Sequence, residues 1–191
     1  MHRRHLLDML GRYQRVFPGE AAVVARICEL VESHADCFER TCRPGHITGA
    51  AWIISADRRR CLLTHHRKLD RWLQLGGHAD GQWQVDEVAL REAREESGMA
   101  AFDFVRIHGI LTPLDIDVHQ IPERRAAHGQ VMEDAHEHHD VRFLLIAHSD
   151  QEVRISDESH DVAWFTPEEV RQRTNEESVL RMLHKALELL S

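Results

Sequence analysis

Three glutamates, Glu92, Glu95 and Glu96, follow Arg91 within one short stretch of the chain. On a helix, at about 100° per residue, they share an arc roughly 100° wide. Val85, Val88 and Ala89 fall on the same side one and two turns earlier. A stripe that should face the core therefore begins apolar and ends acidic. Carboxylates on a half-buried face repel one another and resist desolvation unless something positive sits among them. Ion pairs on a solvated helix meet that need, and Arg91 and Glu95 are spaced for one at i, i+4. A divalent metal ion meets it as well. Gly76-Gly77 upstream reads as a turn after a strand end, where backbone carbonyl groups can approach a ligand closely, and this favours the metal. Carboxylates plus a backbone carbonyl are hard oxygen donors, suited to Mg²⁺ or Mn²⁺ rather than to zinc.

From Gly77 to Met99 the chain resembles the Nudix box, whose pattern is Gly, five residues, Glu, seven residues, Arg-Glu-aliphatic-x-Glu-Glu-x-Gly-aliphatic. Gly77, Arg91, Glu92, Glu95, Glu96, Gly98 and Met99 fit, with Ala93 at the first aliphatic position. Trp83 stands where the pattern has its early Glu, a structural partner of the box Arg, so the anchoring of the loop is what departs. The resemblance implies an α/β/α sandwich with a mixed sheet. It also implies metal-dependent hydrolysis, by water, of a nucleoside diphosphate linked to a second group. Glu92 and Glu96 would be the chief metal ligands with the Gly76 carbonyl. Glu95 would be a further ligand or the base, and Arg91 would orient the carboxylates. A base outside the box is expected among Glu133, Glu137 and Glu158. Two other functions fit the same resemblance: a nucleotide-sensing module without catalysis, and an isoprenoid-diphosphate isomerase, for which Cys61 lies on a strand before the box but in no matching motif.

The elements that must position these groups follow from periodicity and punctuation. Residues 3–16 and 19–34 read as amphipathic helices split by Pro18-Gly19, a helical cap on the main domain or a homodimer surface. Residues 35–45 read as a linker, which closes an N-terminal extension of 1–45. The Nudix-like domain is expected over 46–173, with a helix over 174–191 packed on it. Ile47–Ser55 and Cys61–His65 read as a hairpin, Phe102–Leu111 as a strand, and 120–135 as a long polar loop near the active site. Thr174 and Glu177 have capping-box spacing for the last helix, whose apolar face is Val179, Met182, Leu183, Ala186 and Leu190.

Outside the box, polar side chains gather in two places. His65, His66, Arg67 and Lys68 precede the glycines, and His65 and Arg67 are candidates to meet a substrate phosphate or simply an exposed basic loop. In Leu114–His119 and Ala135–Arg142, alternation sets Asp115, Asp117 and His119 on one face and His136, His138, Asp140 and Arg142 on another. If the two segments pair, that shared face is a solvated sheet surface, a substrate site using His136, His138, Asp140 and Arg142, or a second metal site. His34, Cys37, Cys42 and His46 form a non-standard zinc pattern.

Composition bounds the rest. A formal net charge of −8 argues against general nucleic-acid binding but not against a small anionic substrate held beside a metal ion. No apolar run reaches the roughly 18 residues of a membrane span, Asp8 interrupts the apolar N-terminal residues so that no signal peptide is expected, and four cysteines read as reduced thiols. A cytoplasmic enzyme acting on a small diphosphate is the reading.

Overall fold

The computed structural model describes residues 2–126, 128–155 and 159–191. Helices α1 (His2–Val16) and α2 (Ala21–Ser33) are separated by one 3₁₀ turn over Pro18–Glu20, because Pro18 has no amide hydrogen to continue the helix. There follow β1 (Gly45–Ile54), β2 (Cys61–His66), β3 (Arg71–Leu73), β4 (Leu75–His78) and α3 (Val85–Ser97). After these come β5 (Phe102–Phe104), β6 (Asp115–Ile121), β7 (Arg124–Arg125), β8 (Val131–Glu133) and β9 (His136–Ala147). The chain ends with β10 (Ser159–Phe165), α4 (Pro167–Arg173) and α5 (Glu177–Leu190).

Eight strands form one mixed sheet. Its centre is the parallel pair β1 and β9, in register from Gly45↔Glu137 to Ile54↔Ile146. Every residue of β1 is buried, as expected of a strand covered on both faces. On one face Ile47, Ile116, Val141 and Phe143 pack against Val85, Val88 and Ala89 of α3 and against the buried stripes of α1 and α2. On the other, Trp52, Ile54 and Leu144 pack against Val170 of α4 and Val179, Met182, Leu183 and Ala186 of α5. The result is the expected α/β/α sandwich.

Several local expectations change. Gly76 and Gly77 lie within β4, paired to Ala50 and Gly49, and the turn comes later, at Asp80 and Gly81 with φ of 48° and 82°. Residues 35–45 are no loose linker, since Cys37, Phe38 and Cys42 are buried. The strand expected to run to Leu111 stops at Phe104; His108 and Gly109, both at positive φ, turn the chain sharply between Ile107 and Ile110. Residues 120–135 hold a small antiparallel ribbon of β7 and β8. The capping box belongs to α4, through Thr166 and Glu169, while Thr174 is the C-cap of that helix. Both Thr–x–x–Glu spacings fit the motif, and Pro167 at the first helical position distinguishes the real one. Leu114 precedes β6 and packs on the α5 side, away from Ile116.

The long-range pairing of β6 with β9 is antiparallel, matching Asp115 to Arg142, Asp117 to Asp140 and His119 to His138. Across this pair a buried ionic network closes the edge of the sheet. Arg142 meets Asp115 at 2.9 Å, Asp140 at 2.6 Å and Asp117 at 3.2 Å. Arg181 and Lys185 reach down from α5 to Asp115 at 2.8 and 2.7 Å. Lys185 also meets Glu20 at 2.5 Å and donates to the Tyr13 hydroxyl at 2.7 Å, so α1 and α5 are joined through the edge strand β6.

Candidate active site

Helix α3 delivers its carboxylates onto the backbone of β4. Glu96, 8% exposed, accepts the Gly76 N–H through Oε1 at 2.6 Å. The Glu92 carboxylate fills the space over Gly77, where a Cβ would stand 2.7 Å from it. A Cβ at Gly76 would meet the Ala50 Cβ at 2.5 Å. Close approach on both faces of the strand, not a special φ, is therefore what requires the two glycines. Arg91 donates to the His78 carbonyl at 2.9 Å and pairs with Glu92 at 2.7 Å and Glu95 at 3.2 Å. Glu95 differs from its neighbours, with its side chain 60% exposed. Gly98, at φ 70°, ends the helix in the left-handed conformation and donates its N–H to the Arg94 carbonyl.

The loop after β4 is anchored by residues that the box pattern does not contain. Arg40 holds Asp80 with two hydrogen bonds of 2.6 Å, and the Gly81 N–H donates to the Phe38 carbonyl at 2.9 Å. Trp83 meets the His5 ring edge-on at 5.7 Å. A segment read as a linker thus does the anchoring left open by the missing early Glu. No spacing rule links Arg40 to Asp80 across 40 residues, so the sequence carried no signal for it.

The donor set fits a hard divalent ion. Two carboxylates meet a strand backbone at the cradle over Gly77, which any side chain there would fill. Gly77→Ala should therefore lower kcat by about tenfold, since Glu92 must tilt away from the strand. Thermal unfolding should change little, because the obstructed group is a flexible side-chain end. Steady-state kinetics beside a melting curve tests this, and an unaltered kcat would show that the position of Glu92 over the strand is immaterial.

Among the expected residues outside the box, His136 and His138 gather with two others in a ring cluster. His46 stacks on His136 with centroids 5.0 Å apart, and lies 4.8 Å from His138 and 5.1 Å from His78. Burial, followed by the charges of His78 and His136, pushes His46 down to about 3. His138 and His78 are also pushed down, chiefly by burial. His46 is thereby removed from the expected zinc set, of which His34 and Cys42 instead approach Asp36.

The other expected positions lie as follows. Arg142, 2% exposed, gives its guanidinium to three aspartates, and Asp140 is buried between Arg142 and the Thr48 hydroxyl. A phosphate would have to displace carboxylates to reach either residue. Glu137 turns to the α2 side, meeting Arg26 at 2.8 Å and His139 at 3.1 Å. Strand alternation places it opposite His136 and His138. Glu133 stays beside the box loop: Arg40, raised chiefly by its hydrogen bonds to Asp80, feels Glu133 and Glu92 as well. His65 stacks on Trp72 at 5.0 Å and pairs with Asp70 at 3.1 Å, while Arg67 donates to the Ser159 carbonyl at 3.1 Å, so both are held at the β2, β3 and β10 edge. Glu158 lies outside the described residues.

The family model of the NUDIX domain matches residues 45–186. The chain belongs to the NUDIX family. With that membership goes the enzyme class expected from the box, a Nudix-type pyrophosphohydrolase. The match runs past residue 173, where the resemblance read from the sequence stopped, and takes in most of α5. Among solved structures, a NUDIX-family hydrolase from Clostridium perfringens is 24% identical with a TM-score of 0.58, over 76% of this chain and 98% of that one. The Ap4A hydrolase of C. elegans is 16% identical with a TM-score of 0.54, over 75% and 96%. The dihydroneopterin triphosphate pyrophosphohydrolase of E. coli is 15% identical with a TM-score of 0.51, over 75% and 94%. At these identities the likeness establishes the Nudix fold. No curated protein matches the chain in sequence.

Proposed function

We propose that this Nudix enzyme hydrolyses the pyrophosphate link between a nucleoside, or a related organic group, and a second moiety, using Mg²⁺ or Mn²⁺. The observation that carries the reading is the convergence of Glu92 and Glu96 on the Gly76–Gly77 backbone, with Arg91 clamped beside them. Glu92 and Glu96 would hold the ion together with the Gly76 carbonyl. When bound, the ion neutralises pyrophosphate charge and favours a deprotonated water.

The chain's own groups do the rest. Arg91 ties helix to strand and fixes the Glu92 carboxylate through a 2.7 Å contact. The exposure of Glu95 supports a role for it in accepting the proton of the attacking water or in adding a ligand. Glu133 is the alternative base, supported by its position beside the box loop. Arg142 and Asp140 take a framework role instead of a substrate role. The isomerase alternative finds no support in Cys61, which is buried with its thiol pushed up to about 12 by burial. Free thiols at Cys28, Cys37, Cys42 and Cys61 are in keeping with a cytoplasmic setting, and among the described residues no helix is long and apolar enough to cross a membrane.

The testing experiment is a screen of nucleoside diphosphates and triphosphates, dinucleoside polyphosphates and nucleotide sugars with Mg²⁺ and Mn²⁺, reading phosphate and nucleotide release. Turnover of at least one compound is expected, lost in excess chelator and restored by the divalent ion. Undiminished turnover in chelator would remove the metal from the reading. Tight binding of one nucleotide with no turnover anywhere in the screen would favour the sensing module.

A further inference from the structure

A second cluster of metal-ligating groups stands beside the box and belongs to none of its chemistry. It is built on the sheet face that carries α5, from His46 at the start of β1 and from His136 and His138 at the start of β9. The parallel register places His46 opposite His138, so the rings arrive together by strand pairing alone. We propose that His46, His136 and His138 bind a borderline transition-metal ion of the zinc class, at a site separate from the oxygen-ligand site of the box.

Three observations carry this. The ligand atoms of the three rings all lie within 4.8 Å of one another. The His136 and His138 Nε2 atoms are 3.3 Å apart. Two nitrogens each about 2.0–2.1 Å from one zinc ion, at a tetrahedral angle, are about 3.3–3.4 Å apart. The spacing, at which the two rings share a hydrogen bond, is also that of two ligands on one ion. Second, His46 is 1% exposed, and both of its ring nitrogens are without a hydrogen-bond partner among the described residues. A buried polar atom in that state is costly unless something fills the role, and a metal bond does so for one of the two nitrogens. Third, the His136 Nδ1 lies 2.8 Å from the Asp134 carbonyl. That contact holds the ring proton on Nδ1 and turns an unprotonated Nε2 toward His138, the arrangement by which outer groups orient ligating histidines.

Donor chemistry separates the two sites. Imidazole nitrogen favours zinc and its neighbours in the transition series, whereas the box offers oxygen to Mg²⁺ or Mn²⁺. His78 closes the cluster from the box side, its ring 5.1 Å from both His46 and His138. It is the candidate for a fourth ligand. Two other metal-like groups stand among the described residues: His119, His138 and Asp140, which shares His138 with this site but offers a carboxylate and does not use His46, and His34, Asp36 and Cys42, which contains a thiol and so has a different spectroscopic signature.

The test uses the 191-residue chain carrying Glu92→Gln and Glu96→Gln, which weakens the box site, titrated with ZnCl₂ against a chromogenic chelator and with CoCl₂ in the visible range. We expect one tight equivalent of zinc, and visible bands of a four-coordinate cobalt ion with nitrogen ligands and no thiolate charge-transfer band in the near ultraviolet. His46→Gln and His138→Gln should each weaken zinc binding at least about 100-fold, whereas Cys42→Ala should not change it. Circular dichroism on each variant guards against loss of fold. The cobalt spectrum of the chain with its histidines intact decides the matter even if a variant fails to fold. Absence of a tight equivalent, a thiolate band, or binding that survives folded His46→Gln would each overturn the site.

Discussion

Glu96→Gln is expected to lower kcat/KM at least about 10²-fold, equivalent to about 2.7 kcal/mol of lost transition-state stabilisation. Glutamine keeps the size of the side chain, and its carbonyl oxygen can still accept the Gly76 N–H that Glu96 now accepts at 2.6 Å. What disappears is the negative charge of a proposed metal ligand placed at the strand–helix joint. The melting temperature should hold, because neutralising one of several adjacent carboxylates also relieves repulsion. Glu95→Gln supplies the comparison: its side chain is 60% exposed, so a large kcat loss there would mark a proton-transfer or metal-ligand role rather than a packing one. Near wild-type turnover by a folded, metal-saturated Glu96→Gln enzyme would falsify the assignment of the box carboxylates.

The second large effect is on stability. Asp115 is fully buried and joined to Arg142, Arg181 and Lys185. Asp115→Ala leaves those cations without their shared partner, and removing one member of a buried ion pair typically costs about 3–5 kcal/mol. Urea unfolding monitored by circular dichroism measures it, and a loss under about 1 kcal/mol would mean that Asp117 and water replace the missing carboxylate. The network also sets an acid limit. Burial alone would raise the Asp115 carboxyl, but the Arg181 hydrogen bond and the charges of Arg142 and Lys185 outweigh it and hold it below its usual value. Asp140 is likewise held down by Arg142, His119 and the Thr48 hydroxyl against its burial. Carboxyls depressed in the folded state stabilise it above their unfolded value near about 4, and that stability is lost as pH falls through the folded values. Wild-type stability should drop steeply below about pH 4, and more shallowly in Asp115→Asn.

Much of the site was legible locally because its parts are close in sequence. Glu92, Glu95 and Glu96 share a helix, so helical geometry alone sets their common arc, whereas the paired glycines read as a turn and only the structure put them within β4 beneath the carboxylates. The β6–β9 ribbon was legible for a related reason: strict alternation assigned Asp115, Asp117, His138 and Arg142 to faces before any partner was known. Alternation assigns a face but says nothing of what covers it. Only α5, bringing Arg181 and Lys185, made Asp115 and Arg142 a buried framework.

By itself, then, the sequence determined the helix of carboxylates through periodicity and the family through a motif in fixed register, and the sandwich architecture followed as what that resemblance implies. Tertiary structure decided the contacts between remote segments: Arg40 on Asp80 in place of an early box glutamate, Glu137 turned toward α2, and His46 carried to His136 and His138 by a parallel pairing 92 residues apart in register. The physical reason is that strand pairing and side-chain ion pairs depend on which segments pack together. That choice is made by burial summed over the whole core, and no short window of sequence contains it.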